Sequence, residues 1–296
     1  MAREAEGGAA REPSVSDRGP FVTRFAPSPN GFLHLGHAFS ALTAFDAART
    51  AGGRFLLRIE DIDTGRSRPE LEDAIYEDLA WLGIAWETPV RRQSEHFDEY
   101  AATLARLDAR GLLYPCFCTR REIESALTAP HGPEGAIYPG TCRSRPAAER
   151  AARVASGRPF ARRLDLEAAL AAAGPLTFSE SEVETKVDGA RLRMEIGDVV
   201  LARKDVPASY HLAVVHDDAL QGVTVVIRGA DLAFATPLHR LLQALLDLPT
   251  SAYRHHRLIT DAAGRRFAKR DAAVTLRSLR ASGVAPDAIR ARIGLK

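Results

Sequence analysis

Apolar and polar positions alternate in blocks along the chain, and the blocks change period in a regular order. Phe21-Val22-Thr23-Arg24-Phe25-Ala26 reads as a buried strand, and Pro27-Ser28-Pro29-Asn30-Gly31 ends it, because two prolines and a glycine cannot continue a ladder. From His34 to about Arg49 the apolar residues Leu35, Phe39, Leu42 and Phe45 recur at helical spacing. Phe55-Leu56-Leu57-Arg58-Ile59-Glu60 is a second strand, followed by helices over Leu71 to Leu82 and Glu95 to Arg110. Strands and helices in this order predict an α/β domain with a parallel sheet and right-handed crossovers.

Between about residues 112 and 206 the alternation breaks down. This stretch holds the cysteines, the Gly/Pro-rich run Pro130 to Gly140 and an Ala-rich helix from Leu166 to Ala173, and it reads as an insertion. The sheet pattern resumes with helix Ser209 to Leu220, strand Val223 to Arg228 and helix Phe234 to Leu246. The predicted organisation is a flexible tail at 1–19, the two halves of the parallel-sheet domain at 20–111 and 207–248, an insert at 112–206, and a basic segment at 249–296. That last segment has room for two short helices, around Val274, Leu276 and Leu279 and around Ile289 and Ile293.

Charge narrows the function only locally. The formal net charge of the 296 residues is +2, which neither requires nor excludes an RNA partner, since RNA reads a local basic surface. Basic residues gather late, in Arg254-His255-His256-Arg257 and Gly264-Arg265-Arg266-Phe267-Ala268-Lys269-Arg270, and these read as a basic surface. The N-terminal residues lack the apolar stretch of a signal peptide, and no run approaches a membrane span. Three cysteines, two of them one residue apart, suit reduced thiols better than a disulfide framework. A cytoplasmic, monomeric protein is expected.

The chemistry is concentrated in Arg24-Phe25-Ala26-Pro27-Ser28-Pro29-Asn30-Gly31-Phe32-Leu33-His34-Leu35-Gly36-His37. A turn after the first strand lies at the carboxyl edge of the sheet, where such folds bind ligands. His34 and His37 would stand at the positive end of the following helix and donate hydrogen bonds to a phosphate whose charge grows during reaction. Gly36 removes a side chain where a nucleotide approaches.

This segment resembles the first signature of class I aminoacyl-tRNA synthetases in the form found in glutamyl-tRNA synthetases, and is similar in particular to the glutamyl-Q tRNA(Asp) synthetases. The resemblance runs from about Phe21 to Ala272 and implies a Rossmann-like nucleotide-binding domain split by a zinc-bearing insert, with a short helical C-terminal segment. It implies that Arg24, Phe25, Ala26, Pro27 and Ser28 line an L-glutamate site with Glu60, the partner of the ammonium group, and with Tyr210 and Arg228 from Ala208-Ser209-Tyr210-His211 and Ile227-Arg228-Gly229. A guanidinium holds a carboxylate in two parallel bonds, and two guanidiniums suit a dicarboxylic amino acid. ATP would be held by His34, Gly36, His37 and Lys269, with Mg²⁺. Arg266 and Ala268 depart from the family's Lys-x-Ser-Lys loop, while Lys269 keeps the place used against phosphates.

Cys116, Cys118 and Cys142 offer three thiolates for one structural zinc. The resemblance gives Tyr138 as fourth ligand; on chemistry alone His131 is the commoner type. Few residues follow Arg270, where discriminating glutamyl-tRNA synthetases carry a large anticodon-reading domain. The expected acceptor is therefore the queuosine base in the anticodon stem-loop of tRNA(Asp). The alternatives are a stand-alone glutamyl-tRNA synthetase fragment charging tRNA(Glu), a small-molecule nucleotidyltransferase or acid ligase, and a non-catalytic RNA-binding relative.

Overall fold

The computed structural model describes residues 19–124, 131–133, 135–259 and 274–295. The first half contains β1 (Val22–Phe25), α1 (Leu35–Thr50), β2 (Arg54–Ile59), α2 (Pro69–Trp81), β3 (Glu87–Arg92) and α3 (Phe97–Ala109). The middle contains β4 (Leu113–Cys116), α4 (Arg120–Glu124), β5 (His131–Gly132), β6 (Gly135–Ala136), α5 (Ala147–Ala155), β7 (Ala161–Leu164), α6 (Leu166–Ala173), β8 (Thr177–Glu180), β9 (Val183–Lys186), α7 (Gly189–Glu195) and β10 (Val200–Ala202). The rest is α8 (Tyr210–Leu220), β11 (Val225–Gly229), α9 (Thr236–Leu245), β12 (Ala252–His256), α10 (Leu276–Ala281) and α11 (Pro286–Ile293).

β1, β2 and β3 pair in parallel, as do β11, β12 and β8, with β9 closing that edge as an antiparallel hairpin. The Thr224 N–H donates to Val22 O (3.0 Å) and the Val22 N–H to Thr224 Oγ1 (2.9 Å), which sets β1 beside the start of β11. Alternation along the strands then decides what each face carries. Phe25, Phe55, Leu57, Ile59, Val225 and Ile227 belong to the core shared with α1 and with Leu276, Ile289 and Ile293 of the C-terminal helices. The opposite face, towards α8 and α9, alternates Val22, Leu56 and Val226 with three arginines, Arg24, Arg58 and Arg228. All three are at most 5% exposed.

Two expected boundaries need correction. Residues 112–206 do not stand wholly apart: β4, β7 and β10 form their own antiparallel sheet, but β8 joins the parallel sheet beside β12. A four-residue strand with one fully apolar side chain, Phe178, is too short to register as sheet in a polar stretch. Likewise Arg254-His255-His256 is no basic surface loop but the end of β12, with Tyr253 buried and His255 turned largely inward. Its charged letters conceal a sheet strand beyond residue 248. The edge strand β3, Glu-Thr-Pro-Val-Arg-Arg, carries too little apolar pattern to be foreseen. Among the described residues no helix is long and apolar enough to cross a membrane.

Candidate active site

The turn after β1 delivers His34 as the N-cap of α1. Its Nδ1 accepts from the Gly36 N–H (3.1 Å), while His37 Nδ1 accepts from the His34 N–H (3.2 Å). Both Nδ1 lone pairs are thereby engaged, so each neutral ring carries its proton on Nε2. The ring centroids lie 3.8 Å apart. Gly36 has a local reason as well as the expected one: a Cβ there would come 3.0 Å from His34 Cε1.

Every residue predicted to meet the amino acid or ATP, apart from Lys269, lines one cavity of about 380 Å³. Lys269, with Arg266 and Ala268, lies outside the described residues. Tyr210 is brought in as the first residue of α8, whose N-cap Ser209 accepts from the Leu212 N–H. Burial raises the Tyr210 pKa, keeping the phenol neutral and a donor. Glu60 stands at the end of β2. Burial raises its pKa against the pull of Arg58 and Arg24, so its charge is held at a cost that an ammonium partner would relieve.

Behind the cavity wall lies a network that sequence reasoning passed over. One oxygen of Asp218 accepts from Arg24 Nε (2.9 Å) and Arg58 Nη1 (2.7 Å). Arg58, completely buried, also donates to Gln221 Oε1 (3.0 Å) and Glu60 Oε1 (3.1 Å). Asp217 accepts from Arg91 Nε (2.7 Å), Gln93 Nε2 (2.8 Å) and the Tyr100 hydroxyl (2.9 Å). Burial opposes the Asp218 charge, but Arg24 and Arg58 outweigh it and hold the pKa below the usual carboxylate value. A signal was present: an arginine inside an apolar strand, and two adjacent acids following Val214-Val215 in an apolar helix.

A larger cleft of about 1050 Å³ shares Ser28, Glu60 and Tyr210 with this cavity and runs to Cys118, Tyr138, Arg163 and Lys204. At its far end the sulfurs of Cys116, Cys118 and Cys142 lie within 4.8 Å of one another. Cys118 Sγ is 3.6 Å from both Cys142 Sγ and the Tyr138 oxygen. A tetrahedral zinc with bonds of about 2.3 Å to sulfur spaces its sulfurs by about 3.8 Å, so the donor set fits a structural zinc ion. Tyr138 is buried, its oxygen accepts from the Cys142 N–H (2.7 Å), and the Arg163 guanidinium lies 4.0 Å over its ring. The His131 side chain, the alternative ligand, lies outside the described part of the chain.

Comparisons with known proteins agree with this geometry. The family described as tRNA synthetases class I (E and Q), catalytic domain, matches residues 20–296. A Glutamyl-Q tRNA(Asp) synthetase of Rhodobacter capsulatus is 50% identical over 93% of this chain and 100% of its own. One of Nocardia farcinica is 47% identical over 90% of this chain and 82% of its own. Among solved structures, a glutamate-tRNA synthetase from Elizabethkingia anophelis superposes with a TM-score of 0.70 at 28% identity, covering 85% of this chain. The chain spans about half (53%) of the length of that solved relative. Signature turn, parallel sheet and matched residues converge: the chain belongs to the class I tRNA synthetases of the glutamate and glutamine group.

Proposed function

We propose that the protein activates L-glutamate with ATP and transfers it to the queuosine base in the anticodon loop of tRNA(Asp). The observation that carries the first half is the single cavity in which Arg24, Arg228, Tyr210 and Glu60 meet the two imidazoles at the start of α1. The guanidiniums and the phenol take the carboxylates, and Glu60 takes the ammonium group. A carboxylate oxygen of glutamate attacks the α-phosphorus of ATP and pyrophosphate leaves. The Nε2–H donors of His34 and His37, at the positive end of a sixteen-residue helix, stabilise charge growing on the phosphoryl oxygens. Lys269 would approach the phosphates, with Mg²⁺ accompanying the nucleotide.

The second half is supported by the glutamyl-Q relatives and by the larger cleft, which opens from the glutamate site towards the cysteine module. The queuosine base enters there and takes the glutamyl group from the adenylate, releasing AMP. Cys116, Cys118, Cys142 and Tyr138 would hold one zinc ion, which cross-links the module and takes no part in the chemistry. In this reading 20–111 and 207–256, joined by β8, make up the catalytic sheet domain, the cysteine module within 112–206 meets the RNA, and the segment after β12 carries the Lys269 loop.

Glutamate-dependent ATP–pyrophosphate exchange in the absence of RNA, followed by transfer to queuosine-containing and queuosine-free tRNA(Asp) and to tRNA(Glu), tests both halves. Exchange without RNA and transfer only to queuosine-containing tRNA(Asp) are expected. Exchange that strictly requires tRNA(Glu), or equal labelling of tRNA(Asp) lacking queuosine, would replace this reading with a glutamyl-tRNA synthetase activity.

A further inference from the structure

Arg24 and Arg228 reach the same cavity in opposite electrostatic settings. Arg24 donates to the Asp218 carboxylate, so its charge is matched before any ligand arrives. Arg228 is as deeply buried, at 5% exposure, yet every hydrogen-bond partner it has among the described residues is a neutral group. Its Nε–H meets His255 Nε2 at 3.2 Å, Nη1 meets His239 Nδ1 at 3.1 Å, and Nη2 donates to Thr236 Oγ1 at 2.7 Å. Its guanidinium carbon also lies 5.4 Å from the Tyr253 ring centroid.

A guanidinium has hydrogens to give and no lone pair to offer, so both imidazoles must accept. That requirement fixes their tautomers. His255 keeps its proton on Nδ1, which lies 2.9 Å from both carboxylate oxygens of Glu180 and donates to them. His239 keeps its proton on Nε2 and donates to His211 Nδ1 at 3.0 Å. Burial, reinforced by the charge of Arg228, holds the His239 pKa well below the ordinary imidazole value. Burial also lowers that of His255, against the opposing pull of Glu180. Neither ring can take up a proton without turning an acceptor into a second cation beside Arg228. The arrangement draws on five elements: β8, β11 and β12 of the sheet, and α8 and α9 packed on it.

A guanidinium withdrawn from water among neutral acceptors is poorly compensated, and a carboxylate brought to it gains accordingly. We infer that His239 and His255 are positioning residues that hold Arg228 in place by hydrogen bonds alone, keeping its charge unmatched for a carboxylate of the amino-acid substrate. This rests on the reading above that Arg228 faces glutamate. Replacing an imidazole by a carboxylate would spend the charge of Arg228 inside the protein. Replacing it by a neutral acceptor would not.

Glutamate-driven pyrophosphate exchange on the full chain separates the two layers of the argument. Arg228→Ala comes first and is expected to raise the KM for glutamate by about a hundredfold. An unchanged KM there would remove Arg228 from the amino-acid site and overturn the underlying assignment together with the inference. With that effect in hand, His239→Asp sets a carboxylate against Nη1 and is expected to raise the glutamate KM about tenfold, with the KM for ATP and kcat at saturating glutamate within about threefold. His239→Asn returns a neutral oxygen to the place of Nδ1 and should recover the glutamate KM to within about threefold of wild type. Thr236→Asp offers a second route if His239→Asp fails to fold. It sits at the first residue of α9, where a carboxylate is favoured, and faces Nη2. The same rise in glutamate KM is expected from it. Equal glutamate KM in the Asp and Asn variants of His239, a wild-type value in the carboxylate variants, or a loss confined to kcat or to the KM for ATP overturns the inference while leaving the Arg228→Ala result standing.

Discussion

The amino-acid cavity and the cysteine module are both made of polar side chains taken out of water, but they are held together differently. In the cavity, Arg24 and Arg58 are answered by Asp218, a residue 194 and 160 positions away along the chain. The charges meet because the sheet and α8 have formed, and the protein supplies both signs itself. In the module, three thiols and a phenol from residues 116 to 142 converge within a few ångströms, and the charged groups set against them are basic: Lys204 donates to the carbonyls of Phe117 (3.1 Å) and Cys118 (3.2 Å), and Arg163 lies over the Tyr138 ring. The donor set is one-sided. The first site should therefore be as stable as the fold that carries it, whereas the order of the second should depend on a bound ion.

Asp218→Asn attacks the cavity at its most connected point and should have the largest effect. It leaves two buried guanidiniums short of a counter-charge, which costs about 3–5 kcal/mol of stability. It also weakens the bond that fixes the direction of the Arg24 guanidinium, and with that geometry lost the glutamate KM should rise by about a hundredfold. Denaturant unfolding and exchange kinetics measure the two. The sign with pH follows from the lowered Asp218 pKa: the stabilisation is present above the unfolded value of 3.8 and is lost as pH falls from there through the folded value. The stability gap between wild type and variant should hold at neutral pH and close only in strong acid. A variant that binds glutamate normally would show that the cavity is not preformed by this network.

Removing zinc should act on the other region and spare the first. Protein purified without chelators is expected to carry about one zinc per chain. Stripping it should speed amide exchange around β4 and around Tyr138 to Cys142, and lower transfer to RNA by about tenfold, with glutamate-driven pyrophosphate exchange kept within about threefold. If exchange collapses as in Asp218→Asn, the two regions are one cooperative unit and the contrast between them fails.

The same contrast explains what could be read from the sequence. The signature turn was legible because it ends a strongly patterned strand, so its place at the carboxyl edge of the sheet follows from local pattern, whereas Glu60, Tyr210 and Arg228 were singled out by the family resemblance, each taken alone being an ordinary edge acid, core tyrosine or surface arginine. The thiols were legible because of their spacing. Arg58, Asp217 and Asp218 were not, since their meaning lies in pairings across more than 110 residues that no local window contains. His239 looked like one more polar letter in an amphipathic helix, and His255 like part of a basic run. Only the packing of α9 and β12 shows that both lean on Arg228. β8 was lost for a related reason: a short strand draws its place in the sheet from its neighbour, β12, which lies some seventy residues later.

The smallest effect, and the finest cut, concerns Tyr138. Its oxygen is 3.6 Å from Cys118 Sγ, where the fourth corner of a zinc site would fall, but it also accepts from the Cys142 N–H at 2.7 Å, a structural bond that needs no metal. Tyr138→Phe removes both. As a ligand, Tyr138 must lose its proton on zinc binding, against a burial that raises the phenol pKa in the absence of metal. Loading zinc into stripped wild-type protein should then produce the near-ultraviolet phenolate band, and the variant should hold zinc about 10–100-fold more weakly in competition with a chelator. As a purely structural group, Tyr138 would give no such band. The variant would lose about 1–3 kcal/mol through the unpaired N–H while keeping its zinc affinity. The first pattern makes the module a site of four donors from its own loop. The second would leave it with three sulfurs and a corner to be filled by another group.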